Sequence, residues 1–437
     1  MTTRKGFKRL VRARMSKTGE SYAAARRSLL GDTASAVRDG AARGLHPDTS
    51  AVASALALTG TVSPVTGRPL SEALVLVAGG GLGAGYILWE FKAADAAIAT
   101  LGFRNRWQYP AAWMANAIER LGIDHVVHET GGARVARATL DAILDRGLPA
   151  IVAVDMQAIG TWGRPVELFG YSGYPVLVTA RTDDGAYLVD DRGAEPLRVD
   201  AEVVAAARAR IGSFRHRLVE IRRTPRPVSE DRLREALVTG LEDQVDHLRS
   251  PSDSFSLPAW RKWSRLLTDT RNAKAWPRVF ATGHGLFGVL LSVIEEVDGG
   301  IGANGGNLRE LYAAGIRESA AILDRPGLLD AASAWQASAD LWEDLADAAM
   351  PAELDGAAEA VEADEELHDA VMEGEPGRAR ASAAAGRVWA ARRRYAREFP
   401  LPQASIANLF ADLGERLAAI HRAELNAVEA TARAVGR

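Results

Sequence analysis

The sequence predicts an α+β domain followed by an all-α helical domain, and three observations carry that reading. Between residues 40 and 222, helix-spaced apolar stretches come first and strand-like segments come later, without the regular strand–helix alternation of a doubly wound fold. After about residue 226, apolar positions recur almost throughout at i, i+3, i+4 spacing. Between these halves, Pro225, Pro227 and the polar stretch around Ser229 mark a boundary. With 437 residues, 47% of them apolar, the chain is long enough for two or three domains with real cores. The expected division is a basic helical arm over 1–35, the α+β domain over 40–225 and the helical domain over 226–437.

The arm comes first. Residues 1–30 hold nine Lys or Arg against one acid, Glu20, while the rest of the chain is acidic on balance. Phe7, Leu10, Val11 and Met15 fall at helical spacing among Arg4, Lys5, Lys8, Arg9, Arg12 and Arg14, which reads as two short helices with an amphipathic basic face. Such an arm docks on nucleic acid, an anionic surface or an acidic partner, or it packs on its own chain. No series of stacking aromatics accompanies the charge, so nucleic acid is the less expected partner.

In the α+β half, Asp48 to Thr59 reads as a helix closed by Gly60, and Ala112–Leu121 and Arg134–Arg146 as two more. Ala150–Asp155, Pro175–Ala180, Ala186–Asp190 and Arg217–Ile221 read as strands, with the Asp-Gly turn of residues 182–185 joining two of them. Trp89, Glu90 and Phe91 lead into an Ala-rich stretch with a helical pattern. In the second half, residues 231–248, 258–270, 277–297, 305–323, 327–350 and 379–435 carry helical spacing. Residues 352–375 hold ten acids and no Lys or Arg, and read as a solvated, mobile loop or helix face.

Composition excludes several kinds of chemistry. Without Cys there is no disulfide, thiolate zinc site, iron–sulfur cluster or cysteine nucleophile. The longest apolar run, Ala73 to Ala78, is far short of the ~20 residues of a spanning helix. No apolar signal segment follows the basic N-terminus before Gly31, so a soluble, cytoplasmic protein without a membrane partner is expected. Neither a cofactor nor a metal is expected. His125 and His128 with Glu129 lack a third ligand, and they read as a turn before a strand. Ser172 lies in Gly-Tyr-Ser-Gly, which lacks the spacing of a nucleophile elbow, and reads as a turn residue.

Two segments hold site candidates. Five glycines stand within residues 79–85, in GGGLGAG; no acid-tipped strand follows as a dinucleotide site requires. The backbone there either packs closely on another element or approaches a ligand. His46 precedes a helix start formed by Asp48, Thr49 and Ser50, whose side chains cap the helix or stand where oriented amides favour an anion or nucleophile.

Together these segments resemble a known family. His46-Pro-Asp-Thr, the GGGLGAGY segment, the hairpin YPVLVTARTDDGAYLVDDR over 174–192 and the AAAR of 205–208 look like the BtrH N-terminal domain. That family is named for a butirosin biosynthesis protein that moves an acyl group from a carrier protein to an aminoglycoside. The resemblance implies a papain-like fold, similar to bacteriocin-processing peptidases. GANGGNLRELY over 302–312, ESAA over 318–321 and LWEDL over 341–345 resemble the helical domain that often accompanies it.

The family's pattern places a Cys after the His and before the helix, where this chain has Pro47. It places a His at the start of the hairpin's first strand, where this chain has Tyr174; an acid on the next strand is kept as Asp190 or Asp191. Proline is no nucleophile, and a tyrosine of ordinary pKa near about 10 is a poor base at neutral pH. Acyl transfer by the family's route is therefore closed to this chain.

Three functions stay open. The first is a non-catalytic cleft that binds a small molecule, an acyl-carrier thioester or a peptide, lined by Asp48, Gly80, Gly81, Gly83, Tyr86, Trp89, Glu90, Trp107, Tyr109 and Tyr174. The second is an enzyme with relocated chemistry on His46, Asp48, Thr49 or Asp191. The third is an adaptor that recruits partners through the basic arm and the acidic segment. Amphipathic helices after residue 379 make a homo-oligomer compatible with each.

Overall fold

The computed structural model describes residues 44–91, 96–163, 165–168, 170, 173–222, 228–299 and 304–437. The basic arm and Ser172 lie outside the described residues. Helices α1 (Pro47–Leu58) and α2 (Glu72–Ala78) come first, followed by a separate hairpin of β1 (Tyr86–Phe91) and β2 (Ala96–Leu101). Helix α3 (Pro110–Arg120), β3 (His125–His128), α4 (Ala133–Leu144), β4 (Ala150–Asp155), β5 (Gly173–Arg181), β6 (Tyr187–Asp190), β7 (Leu197–Val199), α5 (Ala201–Ala209) and β8 (Leu218–Ile221) complete the α+β part. Its antiparallel six-stranded sheet runs β3-β8-β4-β5-β6-β7.

Local chemistry explains most of these elements. Pro47 opens α1 where no amide donor is needed, and the Ser71 hydroxyl caps α2 by accepting from the Leu74 amide at 3.1 Å. Strands β4 and β5 are apolar on both faces because α1 covers them together with α4 and α5. At the β5–β6 turn, Gly185 takes a φ of +85°, which suits a residue without Cβ.

The second half is a helical assembly of α6 (Glu230–Arg249), α7 (Pro258–Thr268), α8 (Trp276–Val279), α9 (Leu286–Asp298), α10 (Asn304–Asn307), α11 (Arg309–Leu323), α12 (Leu328–Ala349), α13 (Ala357–Val371), α14 (Arg378–Arg394) and α15 (Gln403–Val435). At its centre the fully buried carboxylate of Glu424 accepts from Trp260 Nε1 at 2.9 Å, Trp342 Nε1 at 2.8 Å and Ser338 Oγ at 3.1 Å. It also binds Arg309 through Nε at 2.8 Å and Nη2 at 3.1 Å. Helix α2 joins the halves, since its wholly apolar stretch packs on α1 and α3 as well as on α6 and α11.

Two expectations need correction, and a third is narrowed. The Ala-rich stretch after Phe91 is strand β2 rather than helix, because its small side chains let it lie against α9, where the Ala99 amide donates to Ser292 Oγ at 2.8 Å. His125 and His128 stand on strand β3 rather than in a turn, held by pairing with β8. Of the loop and the helix face expected for the acidic segment, residues 357–371 take the helix, α13, whose alanine face is buried against α14, while Arg380 and Arg387 of α14 pair with Glu373 and Glu366.

Glu424→Ala leaves Arg309 charged and buried without its counter-ion. A loss of about 3–5 kcal/mol is expected in urea unfolding, and a smaller loss for Glu424→Gln, which keeps an acceptor oxygen. Equal, small losses in both variants would contradict this role.

Candidate functional site

The start of α1 is fixed from below by one carboxylate. Glu72 accepts from the amides of Leu45 and His46, both at 2.9 Å, and from the Thr49 hydroxyl at 2.5 Å. Burial pushes the Glu72 carboxyl up from its usual range, against these hydrogen bonds. Asp48, one turn position away, is held by Arg104 through Nε at 3.0 Å and Nη2 at 2.9 Å on one oxygen, while its Oδ1 has no hydrogen-bond partner. The His46 ring packs on Phe103 at 4.7 Å, and its Nδ1 stands 3.8 Å from Asp48, beyond hydrogen-bond reach. Burial, then the Arg104 and Arg192 charges, hold His46 well below its ordinary pKa, so the imidazole is neutral at neutral pH.

Across from this helix start, Tyr174 on β5 donates its hydroxyl proton to Asp191 and accepts from Arg192 Nη2 at 2.7 Å. Burial pushes Asp191 up to about 6 and Tyr174 well above 10, so the phenol keeps its proton. Asp190 turns away and accepts from the Arg192 amide at 2.8 Å. Of the two adjacent acids, Asp191 is the one that meets Tyr174.

Between these groups lies a cavity of about 580 Å³. His46, Pro47, Asp48 and Arg104 form its polar end, and Trp89, Phe91, Phe103, Trp107 and Phe214 give it aromatic walls. Tyr174 and Arg217 line it from the sheet, and Glu295 and Glu296 reach it from α9 of the helical half. It opens to solvent where its lining residues Trp89 and Val127 are nearly half exposed.

The expected site residues therefore divide. His46, Asp48, Trp89, Trp107 and Tyr174 share the cavity wall. Thr49 and Asp191 are buried behind it, committed to Glu72 and Tyr174. Tyr86 lies outside the lining, stacked on Trp263 at 4.7 Å and bonded by Trp276 Nε1 at 2.7 Å. Glu90 and Tyr109 also lie outside it, and Tyr109 is 63% exposed.

Gly80, Gly81 and Gly83 are absent from the wall as well. At Gly81, with φ +65°, a Cβ would stand 2.7 Å from the Tyr312 ring, and at Gly83 it would stand 2.2 Å from the Arg104 carbonyl oxygen. The glycine segment thus packs closely on other elements. Its backbone bonds the segment after β2 that presents Arg104, through Gly83 N to Phe103 O at 3.0 Å and Asn105 N to Gly81 O at 2.9 Å.

Sequence reasoning missed Glu72, Phe103, Arg104, Arg192, Phe214 and the Glu295–Glu296 pair. Glu72 opens the apolar run before the glycines and Arg192 ends the hairpin segment, so position offered a signal for both. Arg104 and the α9 acids had none, because only the packing of distant segments brings them to the cleft.

A scan against family models finds two adjacent matches. Residues 46–192 match the family described as butirosin biosynthesis protein H, N-terminal, and residues 202–381 match a domain of unknown function, DUF4872. The chain carries a BtrH N-terminal domain followed by DUF4872. Among curated proteins none matches the chain. The BtrH match ends at Arg192, on the Tyr174–Asp191–Arg192 cluster, while β8, which completes the same sheet, falls inside the DUF4872 match. Among the described residues no helix is long and apolar enough to cross a membrane.

Asp191 makes the BtrH domain sensitive to pH in a defined direction. Its folded pKa lies above the unfolded value, so the folded chain holds that proton more tightly, and this group's contribution is lost as pH rises from about 4 to about 6. His46 acts oppositely, since a neutral buried imidazole costs stability as pH falls below about 6.5. Comparison with Asp191→Asn isolates the first effect. Relative to that variant, the wild type is expected to lose stability across the rise from about pH 4 to about 6 in urea melts. A pH-independent difference would contradict the assignment.

Proposed function

We propose that the BtrH-type cleft of this chain is a binding site for an amphipathic small molecule and performs no acyl transfer by a covalent route. The observation that carries this reading is a cavity of about 580 Å³ with Pro47 at the nucleophile's place and, at the base's place, a protonated Tyr174 engaged with Asp191 and Arg192. The volume falls in the range of small-molecule sites, roughly 300–1,000 Å³. Aromatic side chains suit a flat or apolar body. At the polar end, Asp48 Oδ1 and His46 Nδ1, both buried without a hydrogen-bond partner, suit a ligand bearing a hydroxyl or amino group. Trp107 Nε1 is a third buried polar atom without a partner.

Relocated catalysis finds less support. The Thr49 hydroxyl is committed to Glu72, and no hydrogen bond joins His46 Nδ1 to a nucleophile among the described residues. The family tie points to natural-product metabolism as the setting, with the acyl or aminoglycoside moieties of such chemistry as ligands to try first.

A thermal-shift screen tests the reading. Aminoglycosides, acyl thioesters and small-molecule fractions would be run against wild type and Ala115→Phe, which fills the cavity from α3. A ligand at 100 times its Kd should add about 2.7 kcal/mol of stability to wild type, and the filled variant should lose that gain. Shifts that persist undiminished in Ala115→Phe would place binding elsewhere and overturn the proposal.

A further inference from the structure

The two family matches divide the sequence between Arg192 and Glu202, but the cleft is not divided there. Phe214, Arg217 and Val219, with Ser292, Glu295 and Glu296 of α9, line the cavity from within the DUF4872 match. The same match also holds up two walls that the BtrH match supplies. Strand β3 brings His125 and Val127 to the cleft, and it joins the sheet through β8, which pairs with it over residues 125–128. The β1–β2 hairpin brings Trp89 and Ile98. It stands apart from that sheet and lies against α9, where Ser292 Oγ accepts from the Ala99 amide. Helix α9 is itself fixed from α14, because Arg392 donates through Nη2 to Glu295 at 2.8 Å and through Nη1 to the Gly288 carbonyl at 3.1 Å.

We infer that the region matched as DUF4872 is the second half of the ligand site, and that a molecule bound in the cleft contacts it directly; this rests on the reading of the cleft as a binding site. A small-molecule pocket encloses most of its ligand's surface, roughly 70–90%. A ligand so enclosed touches α9 and the turn at Phe214 as well as α3 and the start of α1. Taking β8 away would leave the backbone amides and carbonyls of β3, and those along one edge of β4, without their ladder. It would take Val219 from the wall as well. The two matches therefore form one ligand-binding unit, in which the BtrH part contributes the polar end and the DUF4872 part contributes the α9 wall. Neither part encloses a ligand alone.

The absence of Cys makes the test direct, because introduced thiols have no background. The full chain would carry one thiol at a time. Ala115→Cys places it on α3 of the BtrH part, Phe214→Cys and Glu296→Cys place it in the DUF4872 part, and Val65→Cys places it at an exposed position outside the cavity. Each folded variant would be alkylated by iodoacetamide with and without Nile red, a neutral aromatic dye that fluoresces in apolar sites. With the dye at about ten times its Kd, alkylation should slow roughly tenfold at positions 115, 214 and 296 and stay unchanged at position 65. Two positions probe the DUF4872 part, so that one serves where the other variant fails to fold. Protection at position 115 with unchanged rates at 214 and 296 would overturn the inference and leave the binding reading standing. A dye that neither fluoresces with the wild type nor protects position 115 would overturn the binding reading, and the inference with it.

Discussion

The buried pair of Arg309 and Glu424 is the interaction on which the rest of the structure leans. Glu424 is saturated by two indole donors, a hydroxyl and a guanidinium, which offsets much of the cost of removing its charge from water. Arg309 spends its remaining donors on Asn307 and, at 3.0 Å, on the carbonyl of Gly83. The glycine segment in turn grips the backbone around Arg104, and Arg104 holds Asp48 at the start of α1. A carboxylate in the last helix is thus linked, contact by contact, to the polar end of the cleft. The two segments that look most particular in the sequence, GGGLGAGY and LRELY, are the two faces of this junction.

The cleft keeps a relay-like geometry while its chemistry has changed. Asp191 still meets the side chain that starts β5, yet that side chain is a phenol whose proton burial retains. Arg192 adds a cation to the pair, and its charge also disfavours protonation of the nearby imidazole of His46. The same electrostatics keep the Tyr174 phenol protonated, so it offers no base at neutral pH. Around it lies a shaped, largely aromatic space with a few buried polar atoms at one end.

Much of this was legible in the sequence where local patterns decide structure. The apolar strands β4, β5, β6 and β8, the Asp-Gly turn and the helix after His46 follow from periodicity and turn chemistry. His46, Asp48, Trp89, Trp107 and Tyr174 could be placed at one wall because the family pattern supplied the three-dimensional order. Strand β2 was misread because alanines favour helices in isolation, whereas here smallness serves close approach to α9. The glycine segment was undecidable from sequence, since packing and ligand approach require the same residue. Arg104 and Glu295 reach the cleft only through tertiary packing, which no window of sequence contains.

An open cavity without a nucleophile is the central claim, and intact-mass spectrometry tests it most directly. Wild type and Pro47→Cys would be incubated, folded, with an acyl thioester and separately with iodoacetamide. Wild type should keep its mass under the thioester, while the thiol introduced by Pro47→Cys at the cavity wall should gain a single adduct from iodoacetamide. Acylation of the wild-type chain within the cleft would reveal a nucleophile and contradict the account. So would a folded Pro47→Cys chain that resists iodoacetamide but is alkylated once unfolded, because the cavity would then be closed to small molecules.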